Sequence, residues 1–190
     1  MNETVKLLEN RRSAKVALLA EPGPSAKQLD KILTIAARVP DHKRLVPWRF
    51  IVLDGDARRR FGEVLADVLV KEDAEGPSPV RLETERNRAM RAPLVVAVVS
   101  RVVASPGAPE WEQVLSTGAA AFNLCVAANA MGFGTCWFTE WYAYSPGVAT
   151  ALGLGPNERF AGFVYIGTEA EKQADRERPV MADIVSRWQG

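Results

Sequence analysis

Two adjacent arginines and a serine are the first residues of the chain whose types and spacing could do chemistry. Arg11, Arg12 and Ser13 directly follow residues 3–10, a short segment with an apolar stripe that we predict to be helical. Arginine donates paired hydrogen bonds to phosphate oxygens, so two guanidinium groups and a hydroxyl this close together can surround one phosphate. The alternative interpretation is a solvated basic turn that binds nothing.

The only histidine of the chain lies in a polar loop stiffened by prolines. His42 follows Asp41, and the cations Arg38, Lys43 and Arg44 flank it. Such a basic rim would attract an anionic cofactor. The alternative is an ordinary surface histidine. The loop is therefore a second candidate binding segment.

A third candidate is the segment Gly132–Thr139, in which small and aromatic residues follow one another. We predict a strand over residues 134–139, which could set backbone N–H groups and an aromatic wall beside a planar ring. Trp137, Phe138 and Thr139 at the end of this strand are the candidate contacts. The alternative is a plain core strand.

The motifs of the common catalytic sites are absent from the sequence. It contains no GxSxG, GxxxxGK[ST], HExxH or CxxC pattern. With a single histidine, no histidine-based metal cluster can form within one chain, so we predict no metal site. Cys125 and Cys136 are interpreted as reduced core residues, the alternative being a redox pair.

Composition indicates one globular domain, residues 1–190. The chain is 47% hydrophobic and 25% charged, an ordinary balance for a globular protein. Its 24 Lys and Arg nearly cancel 23 Asp and Glu, so we expect neither nucleic acid nor a membrane as partner. Residues 1–13 reach a basic pair without the apolar segment of a signal peptide, which favours a cytoplasmic location.

Helical and strand patterns alternate along the chain and would position the three segments. Helices are predicted over residues 3–10, 26–38, 57–71, 81–91, 110–131 and 146–152, with Ser25 and Asp56 as N-caps of the second and third. Strands are predicted over residues 49–53, 94–100, 134–139 and 160–167. Because the strands are spread among helices, we expect an α+β fold with a mixed sheet packed by helices.

One stretch without charged residues, Gln113–Thr139, is long enough to cross a bilayer. Gly132 and Gly134 interrupt it, so we interpret it as a buried helix followed by a buried strand. An apolar, alanine-rich helix of this length is either the core of a dimer or a central helix within one chain. The pattern alone leaves both open.

Together and in this order, the three segments resemble the nitroreductase family, in particular its short YdjA-like group. The similarity extends over nearly the whole chain and is carried by residues 7–13, 37–43, 47–52, 111–113, 132–137 and 162–167. It implies an α+β nitroreductase fold with a mixed, mainly antiparallel sheet and an intertwined homodimer. It also implies FMN bound between the subunits, with NAD(P)H as electron donor.

The resemblance assigns a role to each candidate segment. Arg11–Ser13 corresponds to the FMN-binding segment of the family. Arg38 and His42 correspond to flavin contacts that the partner subunit contributes, and Trp137–Thr139 corresponds to the strand end beside the flavin ring. The segment Ala127–Gly132 corresponds to a stretch linked to the nicotinamide nucleotide.

The chain departs from the family pattern at several positions. Phe138 stands where the short group often has arginine. For the basic C-terminal phosphate ligands of larger relatives, the candidates are Arg176 and Arg178. These departures affect the charge beside the flavin ring and beside the FMN phosphate that the resemblance implies.

The implied function is that of an FMN-dependent oxidoreductase with two half-reactions at one site. NAD(P)H would reduce the flavin and leave, and an electron-poor acceptor such as a nitroaromatic or a quinone would then take the electrons in a ping-pong mechanism. The flavin carries this chemistry, which agrees with the missing catalytic motifs. The alternatives are a non-catalytic FMN carrier or redox regulator, and a helical dimer that binds no cofactor.

Overall fold

The structure, a computed structural model, describes residues 2–190. The helices are α1 (Glu3–Asn10), α2 (Ala26–Ala36), α3 (Gly55–Glu72), α4 (Pro79–Arg86), α5 (Glu110–Ala130), α6 (Pro146–Ala151) and α7 (Met181–Ile184). The strands are β1 (Leu19–Ala20), β2 (Trp48–Asp54), β3 (Leu94–Arg101), β4 (Gly134–Phe138) and β5 (Glu158–Glu169). Every helix and strand predicted from the sequence is present, so the predicted α+β fold is confirmed.

All four strand pairings among the described residues are antiparallel. The sheet runs β1-β5-β3-β2, and β4 also pairs with β5. Strand β5 is long enough to hold three neighbours: β3 along residues 158–166, β4 along residues 163–167 and β1 at residues 168–169. The predicted antiparallel character is confirmed, and the parallel pair that a mixed sheet would add does not occur within residues 2–190.

Two apolar layers cover the sheet, and successive residues of β3 face opposite layers. Val95 packs in the layer that includes α3 and α6, whereas Val96 packs in the layer formed with α2 and α5. Because both faces are covered, residues 94–100 are buried almost completely, which explains their continuous apolar run.

The N-cap predictions have different outcomes. Ser25 caps α2 as predicted: its Oγ accepts from Gln28 N, and the Gln28 side chain returns to Ser25 N, which forms a capping box. The prediction for Asp56 is wrong, because α3 begins earlier, at Gly55, and Asp56 lies inside the first turn. There its carboxylate binds the side chains of Arg59 and Arg60 instead of a backbone N–H.

Two other boundaries differ because local signals compete. The helix predicted over residues 81–91 is split into α4 and a 3₁₀ turn at Arg88–Arg91. It starts early because Ser78 caps it and Pro79, which needs no N–H partner, fits its first turn. Strand β1 has only two residues, too few for a sequence pattern to reveal.

The long uncharged stretch forms α5 and β4, as interpreted from the sequence. Within residues 2–190, no helix has both the length and the apolar character that crossing a membrane requires.

Candidate functional site

The Arg11–Ser13 segment leaves the C-terminal end of α1 in an extended conformation and runs beside the free edge of β4. Arg11 has φ −64° and ψ 139°, so the helix stops there. Ala14, the residue that follows this segment, donates its N–H to the carbonyl oxygen of Thr135 at 2.8 Å. The structure therefore brings two of the three candidate segments together.

The Arg11 side chain carries an unpaired donor. Its guanidinium carbon lies 5.5 Å from the ring centre of Phe122 on α5. Its Nε is buried and has no hydrogen-bond partner among the described residues. An unsatisfied buried donor costs about 1–3 kcal/mol. Arg11 is therefore a candidate ligand for an anion, and it is one of the residues that line the groove described below.

The C-terminal segment after β5 folds over the two arginines. Arg12 donates from Nη1 to the carbonyl oxygen of Ala174 and from Nη2 to Gln173 Oε1 at 3.3 Å. Arg178 Nη2 donates to the carbonyl oxygen of Arg11 at 3.3 Å and to Asp175 Oδ1 at 2.6 Å. Arg12 and Arg178 thus form a cluster around Asp175 and the Arg11 backbone.

Two other predicted phosphate residues contribute less to this cluster. The Ser13 side chain is exposed and makes no hydrogen bond to the described residues, so its hydroxyl is open to a ligand. Arg176 reaches the cluster only through its backbone N–H, which binds Asp175. Of the two C-terminal candidates, Arg178 is the one that the fold places beside Arg11.

A groove of about 650 Å³ opens beside these arginines. Its lining comes from α1 and the residues after it, from the end of α5 with the turn into β4, and from the end of β5 with the chain that follows: Leu7, Asn10, Arg11, Arg12, Asn129, Gly132, Phe133, Gly134, Thr168, Glu169, Lys172, Gln173 and Asp175. Asn129 and Gly132 belong to the stretch that was matched to nicotinamide nucleotide binding. Ala127 and Ala128 of the same stretch are buried in the α5 layer, so only its end can meet a ligand.

The free edge of β4 offers backbone groups to a ligand. Thr135 turns its carbonyl oxygen to this edge, where Ala14 binds it. Because backbone groups alternate along a strand, the N–H and C=O of Trp137 face the same edge. No turn or loop backbone group among residues 2–190 bonds to them. A ligand at this edge would therefore meet the free backbone groups of Trp137.

The side chains at the end of β4 lie on opposite faces of the sheet. The Trp137 side chain is 38% exposed, and its Nε1 donates to the carbonyl oxygen of Ala161 at 3.1 Å. Phe138 points inward, where its ring packs 5.5 Å from Tyr165 and 5.2 Å from the guanidinium carbon of Arg91. Thr139 is exposed. Only Trp137 can present an open aromatic surface, so Phe138 could contact a ligand only through its backbone.

The Trp137 side chain packs against a bulge in β5. The register between β3 and β5 shifts so that Ala161 has no partner, and Gly162 adopts φ 140°. A Cβ added at Gly162 would lie 2.2 Å from Trp137 Nε1 and 2.7 Å from the carbonyl oxygen of Phe138. The close approach of the indole explains why glycine occupies position 162.

Replacing Gly162 by alanine should displace the Trp137 indole and break its bond to Ala161. We expect a loss of about 1–3 kcal/mol of unfolding free energy, because the new Cβ meets the indole and the φ angle suits glycine. Urea unfolding with near-ultraviolet circular dichroism measures both effects. Gly155→Ala is the control, since a Cβ there would lie 3.8 Å from its nearest neighbour. Equal stability of the two variants would contradict the proposed contact.

A partly buried ion-pair network fixes the chain directly after β4, and sequence analysis missed it. Glu140 accepts from Arg91 Nη2 at 2.5 Å, from the Tyr142 hydroxyl at 2.7 Å and from Arg88 Nη1 at 2.9 Å. Burial alone would raise the pKa of Glu140, but the bonds from Arg91 and Tyr142 outweigh it and hold the pKa below its usual value. The carboxylate therefore stays ionised, and the strand end is held rigidly.

Within one chain, His42 contacts α5 at a different place from Arg11. His42 Nδ1 is 2.7 Å from Glu112 Oε2 in the first turn of this helix. Arg11 packs on Phe122, ten residues or about 15 Å of helix further along. No described contact joins His42 to the Arg11 segment of the same chain. Arg38, like His42, is exposed. Its carbonyl oxygen lies 3.4 Å from Asn123 Nδ2 on α5.

Both cysteines are buried and free, which confirms their interpretation as core residues. Burial raises the pKa of Cys125 and of Cys136 to about 11. Both thiols are therefore protonated and unreactive near neutral pH.

Comparison with known proteins agrees with this geometry. The model of the family described as "Nitroreductase family" matches residues 8–168. The chain is 39% identical over 166 residues to YdjA of Escherichia coli K12, provisionally assigned as an NAD(P)H nitroreductase, with 87% of this chain and 88% of YdjA covered.

Solved structures share the fold. A nitroreductase-like family protein from Bacillus cereus superposes with a TM-score of 0.86 at 19% identity, covering 100% of this chain and 98% of that one. A nitroreductase with bound FMN from Bacteroides fragilis superposes with a TM-score of 0.69 at 20% identity, covering 100% of both chains. The fold, the family model and the E. coli relative agree: this chain belongs to the nitroreductase family.

Proposed function

We propose that the protein is an FMN-dependent oxidoreductase that uses NAD(P)H to reduce electron-poor acceptors such as nitroaromatics or quinones. The observation that carries the proposal is the buried, unpaired Nε of Arg11, in the segment that also carries Arg12 and that bonds through Ala14 to the free edge of β4. The assigned activity of the E. coli relative and the FMN bound to the Bacteroides protein support it.

The described residues fit FMN at both of its ends. Arg11, Arg12 and Arg178 would hold the phosphate, because guanidinium groups are matched to phosphate oxygens. The edge N–H of Trp137 would donate to the flavin ring. Lys15 directly follows the bonded Ala14, and its side chain is exposed, so it can add a cation near that edge.

Bound FMN would accept hydride from NAD(P)H and pass electrons to the acceptor. The protein binds and orients the ring, and its cations stabilise negative charge that develops there. The Glu140 network keeps the strand end fixed while this happens. No side chain needs to abstract a proton, which agrees with the sequence argument.

A homodimer would complete the site. Helix α5 exposes Trp111 by 69%, Leu115 by 54% and Phe122 by 44%, in one stripe with Gly118 between them. An antiparallel two-fold contact centred on Gly118 would set Glu112 opposite Leu124. The partner's His42 would then lie near Phe122, where Arg11 packs, and could reach the same flavin.

Flavin titration of the apoprotein and anaerobic reduction together test this proposal. We expect one FMN to bind per chain and the visible flavin bands to bleach when NADH or NADPH is added without oxygen. A protein that binds FMN but is not bleached by either nucleotide would be a carrier or regulator. A protein that binds no FMN would be a helical dimer without a cofactor. Either result would overturn the proposal.

The cytoplasmic location and the single domain 1–190 stay predictions.

A further inference from the structure

The pair formed by His42 and Glu112 links two motifs that the proposed function does not connect. The Nδ1–Oε2 distance is 2.7 Å, and each side chain is about half exposed, 50% and 49%. Seventy residues separate the two partners in sequence. The pair lies at the end of α5 where the proposed dimer contact begins, since Trp111 of the apolar stripe directly precedes Glu112.

The loop that carries His42 is held in an unusual conformation. Three of the four residues after His42 have left-handed backbone angles: Lys43 (φ 61°), Arg44 (φ 55°) and Val46 (φ 48°). The Asp41 carboxylate accepts two backbone N–H bonds from within the loop, at 3.0 and 2.9 Å. Such strain persists only where surrounding contacts fix the backbone, and it is commonest at functional sites. The imidazole therefore starts from a defined position.

Neighbouring charges do not compete for the imidazole Nδ1. The Asp41 carboxylate is already occupied by the loop backbone, and Lys43 Nζ donates to the carbonyl oxygen of Pro106. Glu112 is itself held in place, because the buried side chain of Gln113 bonds the loop preceding α5 at three points. Glu112 is the group that meets Nδ1.

The chemistry of a carboxylate decides which imidazole nitrogen carries the proton. An ionised carboxylate can only accept a hydrogen bond, so Nδ1 must be the donor in this pair. A neutral imidazole with a proton on Nδ1 then presents a lone pair at Nε2. Without Glu112, the ring would favour the other neutral form, with the proton on Nε2, as free histidine does.

We propose that Glu112 is a positioning residue that fixes the tautomer of His42, so that Nε2 faces the cofactor of the partner subunit as an acceptor. The matching group on the flavin must then be a donor, either the ring imide N–H or a ribityl hydroxyl. This inference rests on the proposed function for its ligand. The tautomer itself is a property of this chain and can be tested without flavin.

Because His42 is the only histidine, imidazole ¹⁵N NMR of the purified protein gives its tautomer without assignment. In the wild type at a pH where the ring is neutral, we expect the Nδ1–H form to dominate. Glu112→Ala should lower the ratio of Nδ1–H to Nε2–H by about two- to fivefold, the factor expected for a half-exposed charge-assisted bond. Glu110→Ala, which removes the same charge two residues away, should leave the ratio unchanged. A dominant Nε2–H form in the wild type, or an equal ratio in Glu112→Ala, would overturn the proposal.

A double-mutant cycle on FMN affinity tests whether Glu112 acts through His42. Glu112→Ala should weaken FMN binding by about two- to fivefold in the wild type and have no effect in a His42→Ala background. Equal losses in both backgrounds would refute the positioning role. If His42→Ala alone leaves FMN affinity unchanged, the contact with the flavin is refuted, and the NMR result shows whether the pair itself was also wrong.

Discussion

Replacing Arg11 by alanine is expected to weaken FMN binding by about tenfold to a hundredfold. Charge-assisted hydrogen bonds contribute about 1.5–3 kcal/mol each, and the free Nε of Arg11 has no other use among the described residues. The apoprotein should keep nearly the stability of the wild type, because loss of the contact with Phe122 is offset by removal of a buried donor without a partner. Fluorescence titration of the apoprotein with FMN and urea unfolding measure the two effects.

Arg60→Ala is the matched control for this experiment. Arg60 is an exposed arginine on α3 whose one ion pair, to Asp56, has nothing to do with the proposed site. An Arg11→Ala protein that binds FMN as tightly as Arg60→Ala would rule out the phosphate site. Arg12→Ala should also weaken binding, but with loss of order in residues 171–178, because Arg12 bonds to Gln173 and Ala174.

The second large effect is expected from Gly118→Arg. A Cβ added at Gly118 meets no atom within 4 Å beyond its own stretch of helix, so the folded monomer should tolerate a side chain there. At the centre of the proposed α5 contact, however, it would place a charge and a long side chain between two copies. We expect sedimentation to give the 20.8 kDa chain mass instead of twice that mass, and FMN to be lost at the same time.

Val70→Arg controls for adding a charge to an exposed apolar position. Val70 is 55% exposed on α3, outside the α5 stripe. This variant should stay dimeric and keep its flavin. A Gly118→Arg protein that behaves in the same way would show that α5 does not form the interface.

The parts of the site that sequence analysis found depend on neighbours along the chain. Arg11–Ser13 was recognisable because its cations are adjacent, and the Ser25 cap was recognisable because its partner Gln28 is three residues away. Trp137 was recognisable as an aromatic residue in a short strand. In each case the chemistry is decided within a few residues, so the sequence contains it.

Sequence analysis named Arg178 and His42 but could not give their partners, because these contacts exist only in the fold. Arg178 binds the Arg11 carbonyl oxygen across 167 residues, and Glu112 binds His42 across 70. The opposite orientations of Trp137 and Phe138 follow from which face of the sheet each residue takes. A strand pattern shows that alternate residues diverge, but it does not show which one stays open.

The central claim is that one site reduces its flavin with NAD(P)H and then passes the electrons to an acceptor. Anaerobic sequential-mixing absorbance measurements on the FMN-loaded protein test this most directly. In the first stage, NADH or NADPH without acceptor should bleach the flavin bands; after the nucleotide is removed, a nitroaromatic or quinone alone should restore them. Flavin bands that stay unchanged in the first stage, in protein with one FMN per chain, would contradict the account.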